Sequence, residues 1–366
     1  MKPNEILDAY THVDGDQLDV TLNSGFFANC SATLGGLARI HPCERYVKVN
    51  WSRQDLWRDE DQAGKNLFEL YFNPNSHLDP HALANLSPIS SHTVCRDLRF
   101  DKLTPYIENY FAPSEIVRNK LDELDDKYEI DYDNTIGLWY RGTDKFTERV
   151  PVPPRYYVDE VRRLIRKNSR LRVLLQTDQE QVRDIFLGQL GGHAFYLSEL
   201  PVTKSLIGIH YMSREDRGIS NFEFGTTLLA VVNIFARCRY VVTHTGNVGI
   251  WIYLYRGTAR NTFQLRPRLP DLIPQYEGET GIPLERTMTQ GNVYASIHEE
   301  DIYELRSENI ELRSDSIDLR NELSAIKTSF MYKCMKFLAT KIDHFFPDNT
   351  VRGEFRKRIT QALRRK

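Results

Sequence analysis

The stretch Thr135-Ile136-Gly137-Leu138-Trp139-Tyr140-Arg141-Gly142-Thr143-Asp144-Lys145 decides the fold class. Its first six residues form an almost wholly apolar run, the pattern of a strand buried on both faces, and a charged loop holding a glycine follows at once. Downstream the same grammar repeats. Residues 155–167 have helical periodicity through Tyr157, Val161, Leu164 and Ile165. Residues 171–176 read as a second strand, 179–188 as a second helix, 224–236 as a third helix and 240–243 as another strand. Strands alternating with helices in this way predict an α/β fold with a parallel, doubly wound sheet, whose ligands sit beyond the carboxyl ends of the strands. Arg141, Thr177, Asp178 and Thr243 are all expected at such ends.

Upstream, residues 17–50 read as a short apolar segment, a turn at Gly25-Phe26-Phe27 and a helix through Leu37. Residues 46–51 then alternate like a half-buried strand. That order opens a second α/β unit, followed by an irregular aromatic-rich region over 53–100. A helix over 113–127 is opened by Pro113 and Ser114. Beyond about residue 295 the character changes. Leu305, Leu312, Leu319 and Ile326 recur every seven residues, with Tyr303, Ile310 and Ile317 in parallel. This predicts a long helix, although the charged Glu308 and Asp315 interrupt the inner seam of a coiled coil. It either packs on its own domain or joins copies of the chain through 300–330. The tail carries Lys336, Lys341, Arg352, Arg356, Lys357, Arg358 and Arg364-Arg365-Lys366 beside Phe337, Leu338, Ile342, Phe345 and Phe346. It is either a solvated helix end or a basic amphipathic surface for an anionic membrane. Three segments are expected: 1–130, 131–295 and a helical extension, 296–366.

The chain has 366 residues, 41% of them hydrophobic and 27% charged, so a folded core is expected. A net charge of −2 gives no general reason to bind nucleic acid. Five scattered cysteines, with no Cys-x-x-Cys pair and no nearby histidines at ligand spacing, read as reduced buried thiols. The N-terminus lacks the apolar run of a signal peptide, and no apolar stretch reads as long enough to span a bilayer. The expected location is therefore the cytoplasm, at a membrane surface if the tail binds one, with the acceptor sequences at Asn50 and Asn85 left unglycosylated.

An arginine directly after a buried strand aims a fixed fork of donors at the ligand crevice, and that fork fits phosphate oxygens. The bland alternative is a surface ion-pair cluster of Arg141 with Asp144, Lys145 and Glu148. No phosphate-binding P-loop, no Gly-x-Gly-x-x-Gly after a strand and no Gly-x-Ser-x-Gly elbow is present. His193, His210 and His244 lie apart, and only His244 falls in a candidate site. Arg214-Glu215-Asp216-Arg217 reads as a solvated loop, or as part of an acceptor rim.

The run from Gly137 to Lys145 resembles the first motif of the α-1,6-fucosyltransferase and nodulation fucosyltransferase family, roughly His-x-Arg-Arg-x-Asp-Lys. The resemblance continues through three more segments: 153–161, Val173-Leu174-Leu175-Gln176-Thr177-Asp178, and Ala236 to Gly246. Gly25-Phe26-Phe27 with 66–72 is similar to the acceptor-side half of bacterial relatives. The resemblance implies a GT-B architecture of two Rossmann-like domains and an inverting, metal-independent transfer from a nucleotide sugar, GDP-fucose, to a glycan or glycolipid hydroxyl. It makes Arg141 the stabiliser of the leaving β-phosphate, helped by Thr243, His244, Thr245 and Gly246, and Glu148 the base. Lys145 would pair with Glu148 or with phosphate. Gly25, Phe26, Trp139, Asp144, Thr177 and Asp178 complete the donor site, although Asp144 and Asp178 could instead hold loop N–H groups. Trp139 stands where the family has histidine and could stack on a nucleobase or belong to the core. Gly142 replaces the second arginine, and Ala230 falls near the position that reads guanine. These departures leave open a different nucleotide sugar, or a catalytically degenerate scaffold that binds sugar or nucleotide.

Overall fold

The computed structural model describes residues 9–40, 46–74, 89, 93–143, 151–266 and 272–283. The contacts of the chain divide it into Met1–Val293 and Tyr294–Lys366, and every described residue lies in the first unit. The expected heptad helix and basic tail, together with Asp144, Lys145 and Glu148, lie outside the described residues.

The first sheet begins with a hairpin, β1 (Thr11–Asp14) and β2 (Gln17–Val20), closed by Gly15 at φ 60. Helix α1 (Phe26–Ile40) carries the chain across to β3 (Lys48–Trp51), which pairs parallel to β2. The short α2 (Leu67–Tyr71) and the longer α3 (Phe100–Tyr110) and α4 (Glu115–Tyr128) follow. Ser114 caps α4 by accepting from Val117 N–H, as the Pro-Ser signal predicts. A three-stranded sheet with an antiparallel edge is less than a full Rossmann-like half.

The second sheet is the doubly wound one. Its elements are β4 (Thr135–Tyr140), α5 (Pro154–Lys167), β5 (Arg172–Thr177), α6 (Glu180–Leu190) and β6 (Ala194–Tyr196). After the single-turn α7 (Arg214–Arg217) come α8 (Asn221–Arg237), β7 (Tyr240–His244), α9 (Asn247–Arg256), β8 (Thr262–Leu265) and α10 (Leu272–Thr280). All pairs are parallel in the order β6-β5-β4-β7-β8. The chain builds outward from β4 and then returns to its other side. The reversal therefore lies between β4 and β7, where such sheets hold ligands. Gly137 lets α8 lie close on β4, because a Cβ there would sit 2.8 Å from the Phe235 ring.

Two sequence readings need correction. Arg214–Arg237 is by length and composition apolar enough to cross a membrane, contrary to the expectation, yet it breaks at Gly218 and 67% of its most apolar part is buried inside the fold. It serves as a core element. The charged cluster before α8 is a turn of helix rather than a solvated loop. Arg214, Glu215 and Asp216 are exposed, but Arg217 is only 4% exposed. Gly218, at φ 79, ends the turn, and the Arg217 guanidinium folds over the Phe224 ring at 5.1 Å while bonding Ile219 O and Asn221 Oδ1. Burial lowers its pKa, partly opposed by the charge of Asp59.

One hydrophobic core joins both sheets, from Leu18, Phe26 and Trp51 to Leu174, Val241 and Trp251. Cys30, Cys95 and Cys238 are free thiols buried within it.

Candidate functional site

Beyond the carboxyl ends of β4, β5 and β7 lies a cleft of about 1010 Å³, counting space open to solvent. Arg141 enters it directly from the end of β4. Its Nε lies 3.7 Å from Asp178 Oδ2. Asp178 also accepts hydrogen bonds from Gly142 N–H at 2.8 Å and from Thr143 Oγ1 at 2.6 Å. The carboxylate thus ties the loop after β4 to the end of β5 and lies within ion-pair distance of the arginine. A Cβ on Gly142 would overlap the Gln179 side chain, which is buried and accepts from Tyr276 OH at 3.0 Å. Gln179 fills the space a second arginine would need. Thr177 borders the cleft, and its Oγ1 accepts from Gln179 N–H at 3.2 Å.

At the end of β7 the predicted turn divides. His244 and Gly246 line the cleft, whereas Thr243 and Thr245 are buried and do not. Strand alternation turns the Thr243 side chain toward α9, where its Oγ1 would be 3.1 Å from a Cβ on Gly249. That Cβ would also stand 2.7 Å from His244 O, so glycine is what lets α9 begin immediately beyond the strand. The first N–H groups of any helix lack partners within it and carry its positive dipole end. Those of α9, at Asn247 and Val248, border the cleft.

A second helix start faces the same space. Gly25, Phe26, Phe27 and Ala28 open α1 on the cleft wall. Phe27 stacks on Trp251 of α9, with ring centres 5.7 Å apart, and Ser31 Oγ accepts from Trp251 Nε1 at 3.0 Å while donating to Asn247 Oδ1 at 3.3 Å. Two helix N-termini and one guanidinium therefore converge, an arrangement suited to a multiply charged anion. The Phe26 side chain itself turns inward, edge-on to Trp57, Tyr71 and Trp51.

Other walls of the cleft are aromatic and aliphatic. Trp57 stacks between His210 and Phe224, at 6.0 and 5.3 Å, and Tyr211, 57% exposed, lies 4.0 Å from the His210 ring. Leu228 and Gln176 also line the cleft. Trp139 is only 5% exposed and meets Phe235 edge-on at 4.9 Å, so it packs as strand core with one side on the cleft. Ala230 is 0% exposed and off the cleft; Phe224 and Leu228 are the α8 residues that reach it. His193 bonds Leu171 O at 3.1 Å, away from the site.

His210, Trp57, Asn247 and Gln176 escaped the sequence reading. Gln176 alone carried a local signal, as a polar residue near the end of an apolar strand. Among the described residues no group of three His, Cys, Asp or Glu side chains gathers as metal ligands.

No protein-family model matches the chain, and no curated protein matches it. Among solved structures it is similar to NodZ α-1,6-fucosyltransferase soaked with GDP-fucose, at 15% identity and TM-score 0.37, over 66% of this chain and 91% of that one. It is also similar to NodZ co-crystallised with GDP, at 14% identity and TM-score 0.37, over 67% of this chain and 92% of that one. The fucosyltransferase NodZ from Bradyrhizobium matches 63% of this chain and 88% of its own, at 14% identity and TM-score 0.37.

Proposed function

We propose that this chain is an inverting glycosyltransferase of GT-B type that takes its sugar from a nucleoside diphosphate donor. One observation carries the reading: Arg141 stands at the reversal point of the parallel sheet, in a cleft shared with the N-termini of α1 and α9. Displacement at the anomeric carbon expels a nucleoside diphosphate, and negative charge grows on its β-phosphate. A guanidinium and helix dipoles fixed beforehand stabilise that charge without reorganising. Asp178 serves as a positioning residue for Arg141. Glu148 is the proposed base for the acceptor hydroxyl and Lys145 its partner, on the motif resemblance alone. GDP-fucose is the donor, and a glycan or glycolipid the acceptor, that the same resemblance implies. The extension over 296–366 is proposed to join copies of the chain or to bring it to a membrane surface, where glycolipid acceptors lie.

Calorimetric titration with GDP, UDP, CMP and GDP-fucose, on the protein and on Arg141→Ala, tests this. Binding of a diphosphate that weakens about tenfold to a hundredfold in the variant is expected, from the loss of a charged hydrogen bond. Undiminished binding by Arg141→Ala overturns the assignment. Preference for a base other than guanine keeps the transferase and removes fucose, a second reading favoured by the enclosed position of Ala230. Turnover of any donor excludes the scaffold alternative, which the absent second arginine at Gly142 leaves in play.

A further inference from the structure

We infer that Gln176 is the residue that reads the nucleobase, an inference that rests on the nucleotide-binding reading above. Gln176 lies near the end of β5, whose other residues from Val173 to Leu175 are apolar. The parallel register pairs it with Trp139, so its side chain shares the face of the sheet on which Trp139 meets α8. It lines the cleft and is only 3% exposed. Its Nε2 reaches Thr177 O at 3.5 Å, the outer limit of a hydrogen bond, and its Oε1 has no partner among the described residues. A buried amide without a partner is costly, and native folds keep one where something else completes it. The terminal torsion of glutamine is soft, so the amide can swing toward a ligand without moving the strand.

The neighbours say what that ligand is. Leu228, Phe224, Ile209, Leu200 and the Trp57–His210 stack line the same cleft. A nucleobase has two apolar faces and one polar edge. Aromatic and aliphatic walls that also carry the buried Gln176 amide fit such a base. The diphosphate of the same ligand would extend toward Arg141 and the two helix N-termini. A glutamine amide offers a donor and an acceptor side by side, and a site that hydrogen-bonds one edge rejects bases lacking the complement. Base choice then falls to β5, rather than to the α8 position occupied by Ala230.

The test titrates the full chain, Gln176→Met and Gln176→Glu with GDP, UDP, ADP, CDP and inorganic pyrophosphate. Methionine keeps the length without the amide, and glutamate keeps the shape but removes the donor. The expected result is a base preference in the unaltered protein, and a loss of about tenfold to a hundredfold for the preferred nucleotide in both variants. Pyrophosphate affinity should stay the same. An unchanged base preference in the two variants overturns the inference, and equal loss of pyrophosphate does so too, by showing a purely structural role. In either case, pyrophosphate binding that disappears in Arg141→Ala leaves the phosphate site standing. If neither nucleotide nor pyrophosphate binds the unaltered protein, both readings fall together.

Discussion

Arg141 has an ion-pair neighbour 37 residues away in sequence, Asp178, whose carboxylate also anchors the next two residues. Removing that carboxylate would take away the acceptor that Gly142 N–H and Thr143 Oγ1 share. Asp178→Ala is therefore expected to lose about 1–3 kcal/mol of stability, read from urea denaturation. Nucleotide affinity should fall with it, because the arginine loses its fixed direction. Unchanged affinity would show that Arg141 orients itself. The sequence made Arg141 legible, because an arginine after an apolar run is a local pattern. It could not choose between the two roles of Asp178, since that choice depends on which backbone N–H groups the fold delivers to it.

The elements form the site where helices begin close to strand ends. Gly249 sets the closest approach, and a methyl group there would meet His244 O at 2.7 Å. Gly249→Ala is expected to push α9 outward, costing about 1–3 kcal/mol as overpacking does. It should also weaken pyrophosphate binding in the same titration. A variant with full pyrophosphate affinity would remove α9 from the anion site. Most element positions were readable from periodicity, and β4 matches its predicted 135–140 bounds. Helix α8 begins earlier than predicted because Ser220 accepts from Glu223 N–H, and Asp59 accepts from Asn221 and Phe222 N–H at 2.9 and 3.2 Å. The first cap is a local signal. The second comes from 162 residues earlier in the chain and leaves no trace in the helix's own sequence.

Across the whole molecule, the shared core predicts joint unfolding of the two sheets. Calorimetry is expected to show a single transition for the part of the chain that holds them, and separate transitions for the two sheets would contradict a common core. Burial raises the Cys238 thiol from its ordinary 9.0 to about 12 and pushes Cys30 well up. A group whose proton is held more tightly in the folded state stabilises fully below its unfolded pKa and loses that contribution as pH rises through the folded one. The urea midpoint should therefore fall as pH climbs from about 9 toward 12, and a flat profile would contradict the burial of these thiols. By itself the sequence determined the alternation of strands and helices and the placing of Arg141 at a strand end, because both follow from periods of two to four residues along the backbone. Only the tertiary structure decided that Trp57, Gln176, His210 and Asn247 border one cleft, that Arg217 is buried, and that Ala230 faces away. Those outcomes depend on contacts between residues far apart in the chain, which no local period encodes.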